Sequence, residues 1–236
     1  MKYNSGCMIC GKELVYSNEV YERECSLCGK TFKTNVTCTD GHFICDECHS
    51  TDAIDVIENI CNETDLTDPL ELSMMLMKEP FVNLHGPEHH YLIPAVLVTS
   101  FCNQFETPEL KREKLAIAKE RASSVPGGYC GFYGSCGAGV GCGIFASVIT
   151  GATPLTRDSW GFSNKMTGYV LTAIGEVGGP RCCKRNSFNA IIKASEFLYK
   201  ETGKKLFDFE NAKPVCTYKN KNKECIKLDC PFFLNK

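Results

Sequence analysis

The chain has 236 residues, of which 17 are cysteine and 5 are histidine. With 43% hydrophobic and 23% charged residues it can bury a core without disulfides, which argues against a small secreted disulfide scaffold. The net charge of −2 argues against general nucleic-acid binding, and the N-terminus lacks an apolar leader segment, so we expect a soluble cytoplasmic protein whose thiols bind metal or react.

Residues 1–50 hold seven cysteines and two histidines but no long apolar run, which predicts a module stapled by metal. Two knuckles of the form Cys-x-x-Cys-Gly come first, and alternating apolar residues between them predict a short hairpin. A second group of ligands follows at residues 38–49. The eight expected ligands of two structural zinc ions are Cys7, Cys10, Cys25, Cys28, Cys38, His42, Cys45 and Cys48.

The pairing of these eight ligands has two alternatives. In the sequential arrangement the two knuckles share one zinc, and residues 38–48 hold the other. In the interleaved, RING-like arrangement the first knuckle shares its zinc with Cys38 and His42. The glycine after each knuckle favours the sequential arrangement, and His49 is an alternative to His42 as a ligand.

From residue 51 onward the apolar spacing predicts helices. They are expected at 53–60, from Pro69, around Pro94, at 107–122, in the second half of the segment 126–153, at 163–177 and at 187–201. No charged residue lies between Arg121 and Arg157, but the apolar part near 140–149 is too short to span a bilayer. The predicted fold is therefore mainly α: a compact helical domain (51–236) with an irregular cysteine-containing tail, preceded by a small zinc-ribbon-like module (1–50) that carries two zinc ions.

Two segments of the helical domain predict a reactive site. The first holds His85, Glu88 and His89, which could converge on a metal or a substrate proton. The second is glycine-rich and contains Cys130 and Cys136, placed where a loop meets a helix start. We expect these five residues to line one pocket. The alternative for the histidine segment is a solvated helix N-terminus.

The density of glycine at 127–143 requires an explanation, because each glycine costs conformational entropy on folding. Either the backbone approaches a ligand closely, or a helix of small residues packs tightly against its neighbours. Cys61, Cys102 and Cys142 are expected to be core residues.

The remaining cysteines lie toward the C-terminus. Cys182 and Cys183 stand among three cations, and Arg181 is expected to hold an anionic group. The tail adds three more thiols, one of them before a proline, as in many iron–sulfur proteins. The expected cofactor ligands for a [4Fe–4S] cluster or a third metal are Cys182, Cys183, Cys216, Cys225 and Cys230. The alternative is that these thiols are free.

Several motifs together resemble a known family. They include the two knuckles, Cys-Thr-Asp-Gly-His-Phe-Ile-Cys-Asp-Glu-Cys-His, His-Gly-Pro-Glu-His-His, Cys-Gly-Phe-Tyr-Gly-Ser-Cys-Gly-Ala and Gly-Gly-Pro-Arg-Cys-Cys-Lys-Arg. Over nearly the whole chain they are similar to a cysteine-rich family known as domain of unknown function 5714. The resemblance implies no established activity. Members of the family are sometimes found beside methyltransferase or radical-SAM modules; since this chain carries neither signature, any such chemistry would lie in a partner.

These observations predict a metal-binding protein with structural zinc and a redox, sulfur-handling or iron–sulfur site. Its substrate, a small molecule or a protein, is not specified by the sequence. In that hypothesis Cys130 or Cys136 is the reactive thiolate, a histidine moves the proton and Arg181 binds the anion. The alternative is a non-catalytic adaptor whose zinc module binds a protein or RNA partner.

Overall fold

The structure is a computed structural model that describes residues 6–7, 9–10 and 12–233. It is mainly helical and begins with a small strand hairpin, as predicted. The strands are β1 (Leu14–Glu24) and β2 (Thr31–Cys38). The helices are α1 (Asp46–Glu63), α2 (Pro69–Leu76), α3 (Glu88–Phe105), α4 (Pro108–Ser123), α5 (Tyr129–Phe132), α6 (Gly137–Thr150), α7 (Asp158–Val177), α8 (Cys183–Thr202) and the 3-10 turn Lys227–Asp229.

The hairpin differs from the one predicted. Only β1 lies between the two knuckles, and β2 follows the second knuckle. The strands pair antiparallel from Leu14 opposite Cys38 to Glu24 opposite Thr31, with a register shift between Tyr16 and Tyr21. The polar residues at 17–19 therefore form an irregularity within β1 rather than a reversal of the chain, and the second knuckle forms the turn.

Side-chain caps set where several helices begin. Asp68 accepts hydrogen bonds from the backbone N–H groups of Leu70 and Glu71 at 2.8 and 3.1 Å, so α2 begins at Pro69. Thr107 caps α4 in the same way. Three helices, α1, α7 and α8, begin earlier than the periodicity indicates. The clearest case is α8, which begins at Cys183 because the Cys182 thiol accepts a hydrogen bond from the N–H of Arg185.

Helix α3 lies at the centre of the core, with residues 91–102 buried against α1, α2, α4, α6 and α8. Pro94 cannot donate a helical hydrogen bond to the carbonyl of His90, and α6 packs closely there. A Cβ atom on Gly141 would lie 2.8 Å from Pro94 Cδ and 3.1 Å from His90 O.

The glycines of α6 serve tight helix packing. Gly139 faces Leu171 of α7, and Gly143 faces Thr167 on the same helix. Within residues 12–233, no helix is long and apolar enough to cross a membrane.

Candidate metal centres and the pocket beside them

The eight predicted zinc ligands form two tight groups. In each group the ligand atoms all lie within 4.8 Å of one another. The first group is Cys7, Cys10, Cys38 and His42, and the second is Cys25, Cys28, Cys45 and Cys48. Each group could hold one metal ion. The arrangement is thus the interleaved one, and the preference for sequential pairing was wrong.

Strand register accounts for this pairing. Because Leu14 lies opposite Cys38, the first knuckle, which precedes β1, meets the residues that follow β2. At the other end of the hairpin the turn presents the second knuckle to the start of α1, where the N–H of Cys45 donates to Cys25 Sγ at 3.3 Å. Gly29 after the second knuckle adopts φ 69°, whereas Gly11 lies outside the described residues.

The distances within the groups suit a tetrahedral ion. Cys10 Sγ and Cys38 Sγ are 3.8 Å apart, as are Cys28 Sγ and Cys45 Sγ. An ion with metal–sulfur bonds of about 2.3 Å and tetrahedral angles separates its sulfur ligands by about 3.8 Å. His42 presents Nδ1 to Cys38 Sγ at 3.4 Å, so His42 rather than His49 completes this group of four potential ligands.

The thiols of these groups differ in how readily they ionise. Burial opposes ionisation of Cys25, but backbone N–H groups lower its pKa to about 6. Burial also opposes ionisation of Cys38, but hydrogen bonds from backbone N–H groups lower its pKa to about 7. Burial and the neighbouring thiols raise the pKa of Cys48. Four crowded thiolates repel one another, and a bound cation would remove that penalty.

His49 points away from the metal groups toward the helical domain. Its Nδ1 lies 3.7 Å from Oε2 of Glu88, a carboxylate that is fully buried and accepts a hydrogen bond from the N–H of Asn83 at 2.8 Å. Burial opposes ionisation of Glu88, but the contact with His49 helps to lower its pKa to about 2. Glu88 is therefore a buried anion beside the module.

A second set of cysteines surrounds a small cavity, here called the four-thiol cavity. Its thiols come from the N-cap of α8 and from the tail, which folds back through the hydrogen bond from Cys216 N to Phe232 O. The free space among them is about 20 Å³, and Phe188, Ile226 and Phe232 cover it. The four cysteines are Cys182, Cys216, Cys225 and Cys230.

Two cationic residues lie at or near the four-thiol cavity. Lys184 is fully buried, its Nζ has no hydrogen-bond partner among the described residues, and it lies 4.9 Å from the ring centroid of Tyr218. Burial lowers the pKa of Lys184 to about 8, while Glu88 and the neighbouring thiols oppose that shift. Arg185 lines the cavity. Asn222 Nδ2 donates to Cys182 Sγ at 3.5 Å.

A larger pocket of about 430 Å³ separates the hairpin and its metal groups from the helical domain. The helical side contributes His85, Cys130, Arg181 and Cys183, four of the residues singled out from the sequence. The hairpin side contributes Tyr16, whose hydroxyl accepts a hydrogen bond from Arg181.

The other predicted reactive residues lie behind this pocket. His89 is buried with Glu88; its Nδ1 faces Gly86 O at 3.1 Å, and burial together with Lys184 lowers its pKa to about 3. Cys136 occupies the N-cap position of α6 without a side-chain capping hydrogen bond, and its Sγ accepts a hydrogen bond from Asn186 Nδ2 at 3.3 Å. Cys183 faces the pocket, whereas its neighbour Cys182 faces the four-thiol cavity.

Several residues near these sites were missed by the sequence analysis. Asn222 touches both sites, because its Oδ1 faces His85 Nε2 at 3.4 Å while its amide donates to Cys182. Asp46 accepts a hydrogen bond from the N–H of Gly127 at 2.8 Å and joins the module to the glycine-rich segment. Polar residues in irregular segments carry no periodic signal. The only sequence feature that indicated the contact between Asp46 and the glycine-rich segment was Gly127 itself.

Comparisons with known proteins found a match at the level of family only. No curated protein and no solved structure matches the chain. The model of a family described as "Family of unknown function (DUF5714)" matches residues 57–233, which include the pocket residues of the helical side and the four-thiol cavity but not the two metal groups. The match is thus shorter than the resemblance over nearly the whole chain indicated. Since it spans most of the sequence, the chain belongs to the DUF5714 family.

Proposed function

We propose that the protein is a redox metalloprotein that carries two structural zinc ions and one [4Fe–4S] cluster, with the cluster in the four-thiol cavity. The observation that carries the proposal is that three thiols of the tail and one from the start of α8 line one cavity beneath apolar side chains. Thiolate ligation of iron–sulfur clusters uses such sets of four cysteines.

Ligand spacing distinguishes this site from the other two. Of the described residues, those with at least three ligand atoms within 4.8 Å of one another belong to the two groups near the hairpin, not to the four-thiol cavity. A single zinc ion holds its thiolates about 3.8 Å apart, whereas each thiolate of a [4Fe–4S] cluster binds a different iron and the sulfurs stand roughly 6 Å apart. The four thiols of the cavity are not spaced as a single zinc ion requires, which argues against a third zinc there.

The charge around the cavity favours an anionic occupant. A buried ammonium without a hydrogen-bond acceptor is costly, and Lys184 is such a group. A [4Fe–4S] cluster with four thiolate ligands carries a net negative charge and sulfur acceptors. The backbone N–H of Arg185 and the side-chain amide of Asn222 add two neutral donors to Cys182 Sγ, while the Arg185 guanidinium donates to the carbonyls of Gly178 and Pro180.

The cavity must widen to admit the cluster, because its free space is about 20 Å³. Three of the four ligands lie on the tail, which contains only the short 3-10 turn Lys227–Asp229. Irregular segments shift more readily than packed helices. We therefore expect the tail to move outward around a fixed Cys182 when the cluster binds.

The test is anaerobic purification followed by metal analysis and visible spectroscopy. We expect a brown protein with about four iron atoms and about two zinc ions per chain. Cys182→Ser should lose most of the iron and the colour while keeping the zinc. Its control is Cys183→Ser, a change at the adjacent residue that faces the pocket and should keep the cluster.

Two results would overturn the proposal. A colourless protein with zinc but no iron, even after anaerobic reconstitution with ferrous iron and sulfide, would exclude the cluster. Equal iron loss in Cys182→Ser and Cys183→Ser, with unchanged circular dichroism, would show that the four-thiol cavity does not hold it.

A further inference from the structure

We propose that the 430 Å³ pocket between the hairpin and the helical domain is a binding site for a small organic anion. The ligand class is a molecule with an apolar, aromatic body and one acid group, and the acid group binds at Arg181. The described residues that line this pocket all differ from those that line the four-thiol cavity, so the inference does not depend on the cluster.

Three helices begin at this pocket, and the N-terminal end of a helix carries a partial positive charge. Residues from the first turns of α1, α3 and α8 line the pocket, namely Asp46, Glu47, His90 and Cys183. Helices α1 and α3 have acidic residues in the first turn, which offset that charge, whereas α8 has none. The residue before the N-cap of α8 is instead a cation, Arg181. The beginning of α8 therefore lacks the negative charge that a bound anion would supply.

The Arg181 guanidinium has hydrogen-bond donors available for a ligand. Of the five N–H donors of a guanidinium, Arg181 uses one within the described part of the chain, on the Tyr16 hydroxyl. The guanidinium lies over the Tyr16 ring, 5.0 Å from the ring centroid, which holds it at the pocket wall. It forms no ion pair with a carboxylate of the described residues. Arginine binds acid oxygens through pairs of such donors, so an acid group fits here.

The hairpin side of the pocket carries a group of apolar side chains. Tyr16 lies opposite Val36 in the strand pair, and both residues line the pocket. Phe32 lies further along β2, and its ring centroid is 6.2 Å from that of Phe43. Ile44 extends the same group of pocket residues. Aromatic and branched side chains bind an apolar body, so this side favours an organic anion over an inorganic one.

The size and the position of the pocket suit such a ligand. Its volume of about 430 Å³ lies within the range of small-molecule sites. The guanidinium comes from the helical side and the apolar group from the hairpin side, so a ligand with both chemical parts would contact both sides. Bound ligand would therefore hold the hairpin against the helical domain.

Fluorescence titration of the full chain, purified with its metal, tests this inference. The anionic probe is anilinonaphthalenesulfonate, an aromatic body with one acid group whose fluorescence rises in apolar surroundings. The neutral probe is phenylnaphthylamine, which has the same body without the acid group. We expect the wild type to bind about one molecule of either probe per chain with a saturable signal.

The variant Arg181→Gln should weaken binding of the sulfonate by roughly tenfold or more, because the charged hydrogen bonds to the acid group are lost. Its affinity for the neutral probe should not change, since that probe has no group for the guanidinium. The matched control is Arg157→Gln, which removes one positive charge at an exposed residue outside the pocket. This control should bind both probes as the wild type does.

A second variant locates the binding site by filling it. Val36→Trp places a large side chain at the pocket and should abolish saturable binding of both probes. The matched control is Val20→Trp on β1, where the side chain is 65% exposed and lies outside the pocket; it should bind both probes normally. Circular dichroism and zinc content show that each variant has folded.

Two results would overturn the inference. Equal affinity of the wild type and Arg181→Gln for the sulfonate would show that the guanidinium does not bind the acid group. Unchanged saturable binding by folded Val36→Trp would show that the probes bind elsewhere on the molecule. Neither measurement involves iron, so both outcomes are distinct from the test of the proposed function.

Discussion

At the scale of single residues, Cys182 and Cys183 are adjacent and yet face two different sites. Cys182 has extended backbone angles as the N-cap of α8, and Cys183 is the first helical residue, so the chain turns between them. The sequence identified two thiols among cations. It could not assign their directions, because these depend on where the helix begins.

Burial determines which histidine of the segment 85–90 can exchange a proton with the pocket, and this cannot be deduced from residue types alone. His89 is buried beside Lys184, so it is neutral at pH 7. His85 instead reaches the pocket, where burial and Arg181 lower its pKa. Of the two, His85 is the one placed to take or give a proton in the pocket.

Gly141 offers a test of the packing between α6 and α3. Gly141→Ala should lower the free energy of unfolding by about 1–3 kcal/mol, because its new methyl group meets Pro94 Cδ at 2.8 Å. The control is Gly168→Ala in α7, where an added Cβ would have no atom of the described residues within 4 Å. This change should raise the free energy of unfolding by about 0.5–1 kcal/mol. Urea unfolding measures both, and similar effects of the two changes would contradict the packing described.

At the scale of elements, the helices were largely predictable because their apolar residues recur with helical spacing and their N-cap residues can be identified in the sequence. Asp68 and Thr107 mark helix starts in the sequence and in the structure. The pairing of the hairpin could not be predicted, because the alternation of residues within β1 does not reveal which segment forms the partner strand. The ligand types of the metal groups were readable, but their pairing depended on that register.

The hairpin register predicts which ligand pairs share an ion. The double variant Cys7→Ser/Cys38→Ser alters one metal group only and should keep about one of two zinc ions. Cys7→Ser/Cys25→Ser alters both groups and should keep neither. Zinc per folded chain, measured by mass spectrometry under native conditions, distinguishes the two variants.

The sequential arrangement predicts the reverse for these two variants. With sequential ligands, Cys7 and Cys25 would share an ion, and their double variant would keep the other zinc. That result would refute the interleaved pairing. Circular dichroism of both variants checks that the helices remain.

At the scale of the whole molecule, we propose that residues 1–50 are a separable module on the helical domain 51–236. The contacts between them include Asp46 with Gly127, Tyr16 with Arg181, and the ring of Tyr16 with the ring of Phe132. The core built around α3 does not include the metal groups. Removing the metal should therefore affect the module far more than the helices.

Chelation tests this proposal. A zinc chelator at pH 7 should make residues 12–45 sensitive to protease, because the hairpin alone buries too little apolar surface to remain folded. The helical far-ultraviolet signal should fall by only a small fraction, and protected fragments should begin near α1. Loss of the helices together with the module would show that the two parts fold as one unit. Adding back zinc should restore protection.

The interleaved pairing also has a consequence for synthesis on the ribosome. Cys7, Cys10, Cys25 and Cys28 emerge from the ribosome first, and they could form a four-thiol set before Cys38 emerges. At about 5–20 residues per second, that incorrect set exists for roughly a second before its competitors appear. A zinc ion captured during that interval must exchange two of its ligands for Cys38 and His42 before the hairpin can close. A nascent chain that binds a metal ion at this stage would begin in a kinetic trap, and the rate of thiolate exchange at the metal would limit how fast the module matures.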